Sequence, residues 1–161
     1  MTLEEYLEFN CDWLLSAVRD VPSGKDLYPV FTFQKDNASV MVPPTIEDKG
    51  LAVALFRSLI RSVGAERYAI ISAAWVVGLA EHEKDAGHAI MDREGTGTVY
   101  KDRRRECYWV VVGDREKTLL AVFFVHRDYK GKIRRLERGP SPSPQAFAHG
   151  RMMDLLVEAR H

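Results

Sequence analysis

Residues 106–137 read ECYWVVVGDREKTLLAVFFVHRDYKGKIRRLE, and this stretch decides the fold. Glu106–Val112 and Thr118–His126 are rich in β-branched and aromatic residues, which suit a pleated, half-buried surface. Gly113-Asp114-Arg115-Glu116 joins them with turn-forming residues. Asp128-Tyr129-Lys130-Gly131 makes the next turn and Lys132–Glu137 the next strand. The three segments predict an antiparallel meander. Its last strand is heavily charged, which suits a sheet edge that must not recruit another strand.

Working upstream, Tyr68–Val77 is apolar at nearly every position. A strand of that kind needs cover or pairing on both faces. Tyr28–Gln34 and Ser39–Val42 read as two short strands around an Asp36-Asn37 turn. Between these and Tyr68, a helix is predicted from about Thr45 to Val63. Thr45 and Asp48 resemble a capping pair, and Gly64 is a good C-terminal stop. A first helix is predicted over 3–20, where Leu3, Tyr6, Leu7, Asn10, Trp13, Leu14, Ala17 and Val18 recur at helical spacing. Thr2 and Glu5 fit a capping box.

Downstream, Pro140, Pro142 and Pro144 mark a stiff connector. Ser143 as N-cap and Pro144 at the first helical position launch a third helix to about Arg160. Residues 80–104 break all periodicity and predict a long irregular loop, a feature often functional in a compact domain. The order is helix, two strands, helix, strand, loop, three strands, helix. This predicts a single α+β domain over 1–161, in two layers. Three helices would lie against one face of a largely antiparallel sheet of five to six strands.

The chain has 161 residues, 46% of them apolar and 29% charged, with a formal net charge of zero. That composition belongs to a globular protein and excludes a histone-like basic protein or an acidic solvating tail. The N-terminus is acidic and lacks the basic start and apolar core of a secretory signal. The longest apolar stretch, Ala69–Ala80, falls short of the roughly 20 residues that span a bilayer. A soluble cytoplasmic protein with no membrane contact is expected. Cys11 and Cys107 have no CxxC partner and are read as buried thiols.

The zero net charge hides an asymmetry. Residues 1–100 carry a net charge of −6 and residues 101–138 a net charge of +6. The positive block includes Arg103, Arg104 and Arg105 where the meander begins, and Lys132, Arg134 and Arg135 on its last strand. Brought side by side, these six make a basic face, flanked by Tyr108, Trp109 and Tyr129, for a polyanion or an acidic partner. The plainer reading of the same residues is a solvated edge strand with salt bridges to acidic helices. No RNP-type, helix-turn-helix or zinc-finger motif accompanies them.

The loop 81–94 gathers His82 and His88 with Asp85, Asp92 and Glu94, residue types that can hold a divalent metal. His82-Glu83 lacks a second histidine at position 86, so the HExxH pattern is absent. A polar loop explains the same residues. Gly95-Thr96-Gly97-Thr98 lacks the lysine and helix of a P-loop and reads as a turn. Ser72 has no nucleophile elbow around it. His126 ends a core strand and reads as a hydrogen-bonded sheet histidine.

Arg67-Tyr68-Ala69, Ala74-Trp75 and Arg103-Arg104-Arg105-Glu106 before a valine-rich strand resemble a pattern found in small uncharacterised bacterial and phage-associated proteins. The resemblance covers roughly residues 66–136. In that pattern a glutamate often precedes the tryptophan, where this chain has Ala74. The resemblance implies a bacterial soluble domain and carries no activity or catalytic residue.

No catalytic template is complete and no cofactor is implied. The leading expectation is a binding or accessory module that contacts a protein or polyanion through the basic sheet face. The alternative is a metal-dependent hydrolase or nuclease built on the loop 81–94. A third reading is a homodimer that pairs apolar strands or the Met152-Met153 helix across a two-fold axis.

Overall fold

The structure, a computed structural model, describes residues 1–43, 46–77, 104–140 and 155–156. Its strands are β1 (Val30–Lys35), β2 (Ala38–Val42), β3 (Arg67–Val77), β4 (Arg104–Gly113), β5 (Thr118–Arg127) and β6 (Ile133–Arg138). They form one sheet in the order β2-β1-β3-β4-β5-β6, and every neighbouring pair is antiparallel. The expected meander is therefore present as β4-β5-β6. β6 stands at one edge, as its charge predicts, and β2 stands at the other.

β1 and β2 form a hairpin whose two turn residues, Asp36 and Asn37, have φ of 52° and 62°. Two successive positive φ values make a type I′ turn, whose twist matches that of the strands it joins. β1 also pairs with β3, with Phe31 opposite Ile70 and Phe33 opposite Tyr68. β2 and β3 thus flank β1 and run parallel. Parallel strands need a crossover, and α2 (Lys49–Ser62) supplies it.

Both faces of the sheet are covered, because β3 and β4 are apolar on successive residues and successive side chains point to opposite faces. On the first face, α1 (Leu3–Ala17) sets Leu3, Tyr6, Leu7, Cys11 and Leu14 against Ala69, Ile71, Tyr108, Val110, Val112, Ala121 and Phe123. On the second, α2 sets Val53, Phe56 and Ile60 against Phe31, Phe33, Tyr68 and Ile70, with Phe56 and Phe31 ring centroids 5.2 Å apart. The expectation that the helices share one face is corrected. A sheet bare on either side would expose Ile70 and Val111 or Ile71 and Val110, all of which are buried.

The helix ends follow local chemistry. Thr2 and Glu5 make the expected capping box on α1. α1 then tightens into a 3-10 turn at Val18–Asp20. α2 begins later than expected, at Lys49, because the Asp48 carboxylate accepts the Leu51 amide at 2.8 Å and makes Asp48 the N-cap. Two α-helices stand among the described residues, against three expected. The expected helix 144–160 lies outside the described residues except for Leu155 and Leu156, which form a bend. Leu155 gives its carbonyl to Arg61 Nε at 2.7 Å and its amide to the Tyr68 hydroxyl at 3.4 Å. The loop expected at 80–104 lies outside the described residues up to Arg104, which opens β4. Among the described residues no helix is long and apolar enough to cross a membrane.

Candidate functional site

The six basic residues singled out in the sequence fall in different places. Arg103 lies outside the described residues. Arg104 and Arg105 are neighbours on a strand and so point to opposite faces. The Arg104 guanidinium lies 4.1 Å from the centroid of the Trp75 ring, on the face that α1 covers further up. Arg105 lies 3.7 Å from the centroid of Phe124, on the face that α2 shares. Lys132 donates to the backbone carbonyls of Arg19 and Val21 and closes the 3-10 turn. Arg134 pairs with Asp128 at 2.7 Å. His126 stands opposite Arg135 and Arg127 opposite Ile133, which leaves Arg134 as the extra residue of a bulge.

Arg105 and Arg135 therefore are the members of this set that share a face, with His126 between them. Val76 on β3 stands opposite Arg105 on β4, and His126 on β5 stands opposite Arg135 on β6. The adjacent row is Ala74, Cys107, Phe124 and Glu137. The Glu137 carboxylate accepts from His126 Nε2 at 3.1 Å and lies 3.9 Å from Arg105. The hydrogen bond to His126 holds the Glu137 carboxyl below its usual value, helped by the charges of Arg135 and Arg105. The result is a strip of two cations, an imidazole and one carboxylate, with Arg105 over the Phe124 ring. Trp109 borders it, and its Nε1 donates to Cys107 Sγ at 3.0 Å. Cys107 is fully buried, and that burial pushes its thiol up to about 12.

The flanking aromatics expected in the sequence divide likewise. Tyr108 is buried on the α1 face, and its hydroxyl accepts the Leu27 amide at 2.8 Å. Tyr129 projects from the turn and is 92% exposed. Phe124, His126 and Glu137 were missed as partners of Arg105. Their signal was the alternation of the meander itself, which fixes which residues share a face once the register is known.

A second polar cluster sits on the α1 face, where Arg127 meets Glu106 at 2.6 Å and Asp26 at 2.8 Å. Its hydrogen bonds hold the Glu106 carboxyl below its usual value. Burial, reinforced by Glu106 nearby, pushes the Asp26 carboxyl up. The guanidinium also donates to the carbonyls of Gly131 and Lys25. Nε, Nη1 and Nη2 are all engaged, so Arg127 works as a clamp that ties residues 25–26 and the 128–131 turn to the sheet.

His82, His88, Asp85, Asp92 and Glu94 lie outside the described residues, as does Gly95–Thr98. Among the described residues no group of three or more His, Cys, Asp or Glu side chains is placed to hold a metal. Ser72 is buried and bonds the Ala73 carbonyl, as a core serine does. With this geometry in hand, comparison with known proteins adds no relative. No protein-family model, curated protein or solved structure matches the chain.

Proposed function

We propose that this chain is a binding module, working by contact and not by catalysis, that takes an acidic segment of a partner protein onto the strip of Arg105, His126 and Arg135. The observation that carries the reading is the Arg105 guanidinium. It rests over Phe124 while its side chain stays 54% exposed. An arginine held over a ring keeps its fork oriented and its outer edge open to a carboxylate, at little entropic cost. Arg135 offers a second cation about 10 Å away, two strand spacings across the sheet.

Among the described residues, Lys117, Arg127, Arg134 and Arg138 pair with Glu4, Glu106, Asp128 and Glu8 and lie outside the strip.

The test is a titration with a glutamate-rich peptide, followed by calorimetry, beside heparin and duplex DNA. Arg105→Glu with Arg135→Glu should weaken peptide binding at least tenfold. Added salt should weaken the peptide contact by screening, far less steeply than it weakens binding to a duplex. Heparin or DNA binding tighter than peptide binding, with a much steeper salt dependence, would move the function to polyanions. Peptide binding unchanged by the double reversal would reduce the strip to a solvated edge.

A further inference from the structure

The two edges of the sheet are built differently. β6 carries Arg134, Arg135, Glu137 and Arg138 and a bulge, the devices by which a strand edge refuses partners. β2 is Ala38-Ser39-Val40-Met41-Val42, with no charge, no proline and no bulge within it. Val40 is 40% and Met41 58% exposed. Beside this edge, Leu51, Leu55 and Leu59 line up at four-residue spacing on α2 and are also exposed. Leu55 and Leu59 face β2 across a groove of about 260 Å³, floored by Phe31 and Phe56 and rimmed by Val42, Pro43 and Ile46.

The hairpin register says which backbone groups of β2 are left unused by β1, its one strand neighbour among the described residues. Lys35 and Ala38 close a two-residue loop and form a hydrogen-bonded pair, so Val40 and Val42 also spend their amides and carbonyls on β1. The amides and carbonyls of Ser39 and Met41 therefore point away from the sheet. These four groups are self-complementary. A two-fold axis through Val40 pairs Ser39 of one copy with Met41 of the other and satisfies all of them.

We infer that the occupant of this edge is a second copy of the chain, joined β2 to β2 in antiparallel register about Val40. The pairing makes one continuous sheet of twelve strands. It sets Val40 against its own symmetry mate and brings the two leucine rows of α2 toward each other over the junction. Charge does not oppose it, since β2 is neutral and the chain has a formal net charge of zero. A closed two-fold contact also uses up the edge, so association stops at two. This inference is independent of the acidic-peptide reading, which concerns β4–β6.

Two measurements test it. Sedimentation equilibrium of the wild-type chain should give a dimer, and Met41→Lys or Leu55→Glu, both at exposed positions, should weaken it at least tenfold without changing the far-ultraviolet spectrum. Mild oxidation of Val40→Cys should give a covalent dimer, because residues facing each other across the axis form a close pair of about 4.5 Å between Cα atoms. Ser39→Cys faces Met41 of the other copy and should cross-link poorly. The native Cys11 and Cys107 are buried and leave the background low. A monomer at every concentration, or equal cross-linking of Val40→Cys and Ser39→Cys, overturns the inference. Peptide binding through Arg105 and Arg135 is read separately and can stand or fall alone.

Discussion

At Gly113 a single hydrogen decides whether two strands fit. The residue ends β4 directly opposite Tyr68. A Cβ there would lie 2.4 Å from Tyr68 Cε1 and 2.7 Å from Cζ. The ring has little room to move, since it is fully buried and sits 6.3 Å, edge to face, from Phe56. Gly113→Ala should therefore destabilise the fold by about 1–3 kcal/mol, the usual cost of overpacking a core. The shift in urea midpoint measures it, and a neutral result would mean that β4 ends elsewhere. Sequence alone gave Gly113 the role of a turn residue. Its close approach to Tyr68 depends on a pairing between segments more than forty positions apart, which no local pattern encodes. Arg104 and Arg105 teach the converse. Their separation onto two faces follows from strand alternation, and it was overlooked because the strand was expected to begin at Glu106.

Among the elements, the meander and α1 were legible because their periodicity is local. The insertion of β1 between β2 and β3 was not, since it depends on which edge of the meander accepts the hairpin. The two-sided burial of β3 is legible in a run apolar at nearly every position, yet the sequence reading sets the helices on one face. The start of α2 lies three or four residues past the expected one, because Thr45 and Asp48 read as a capping pair that puts Asp48 inside the first turn, where the structure makes Asp48 itself the N-cap. In the structure Asp48 holds the Leu51 amide, so Asp48→Ala should cost about 1 kcal/mol of stability, the usual loss of an N-cap. Thermal melts against the wild type check this, and no change would place the true cap upstream. The candidate site was legible only in part. Arg105 and Arg135 were named, but Phe124 and Glu137, which shape the strip between them, were read as strand and edge.

For the whole molecule, the pattern of carboxylate shifts sets the response to acid. Arg138 holds Glu8, Arg127 holds Glu106 and Lys117 holds Glu4 below the ordinary glutamate value of 4.5. A carboxyl lowered by folding contributes stability above its unfolded value and loses it as pH falls through the folded one. Asp26, raised by burial and by Glu106, works in the opposite sense and loses its contribution as pH rises through its shifted value. Glu5, Asp128 and Glu137 are lowered as well, so among the described residues six carboxyls act in one sense against Asp26 in the other, and stability should fall as pH drops below about 4.5. Asp26→Asn should steepen that fall by removing the counterweight. Calorimetric melts across this range read both effects, and a protein that gains stability in acid would contradict the ion-pair map. The arrangement of the first face has a consequence of another kind. The apolar stripe of α1 finds its cover on β3, β4 and β5, so the cover is complete only once residues 104–127 exist. During synthesis that helix leaves the ribosome far ahead of the strands that shelter it. For most of translation it is a bare amphipathic segment, open to whatever chaperone attends the nascent chain.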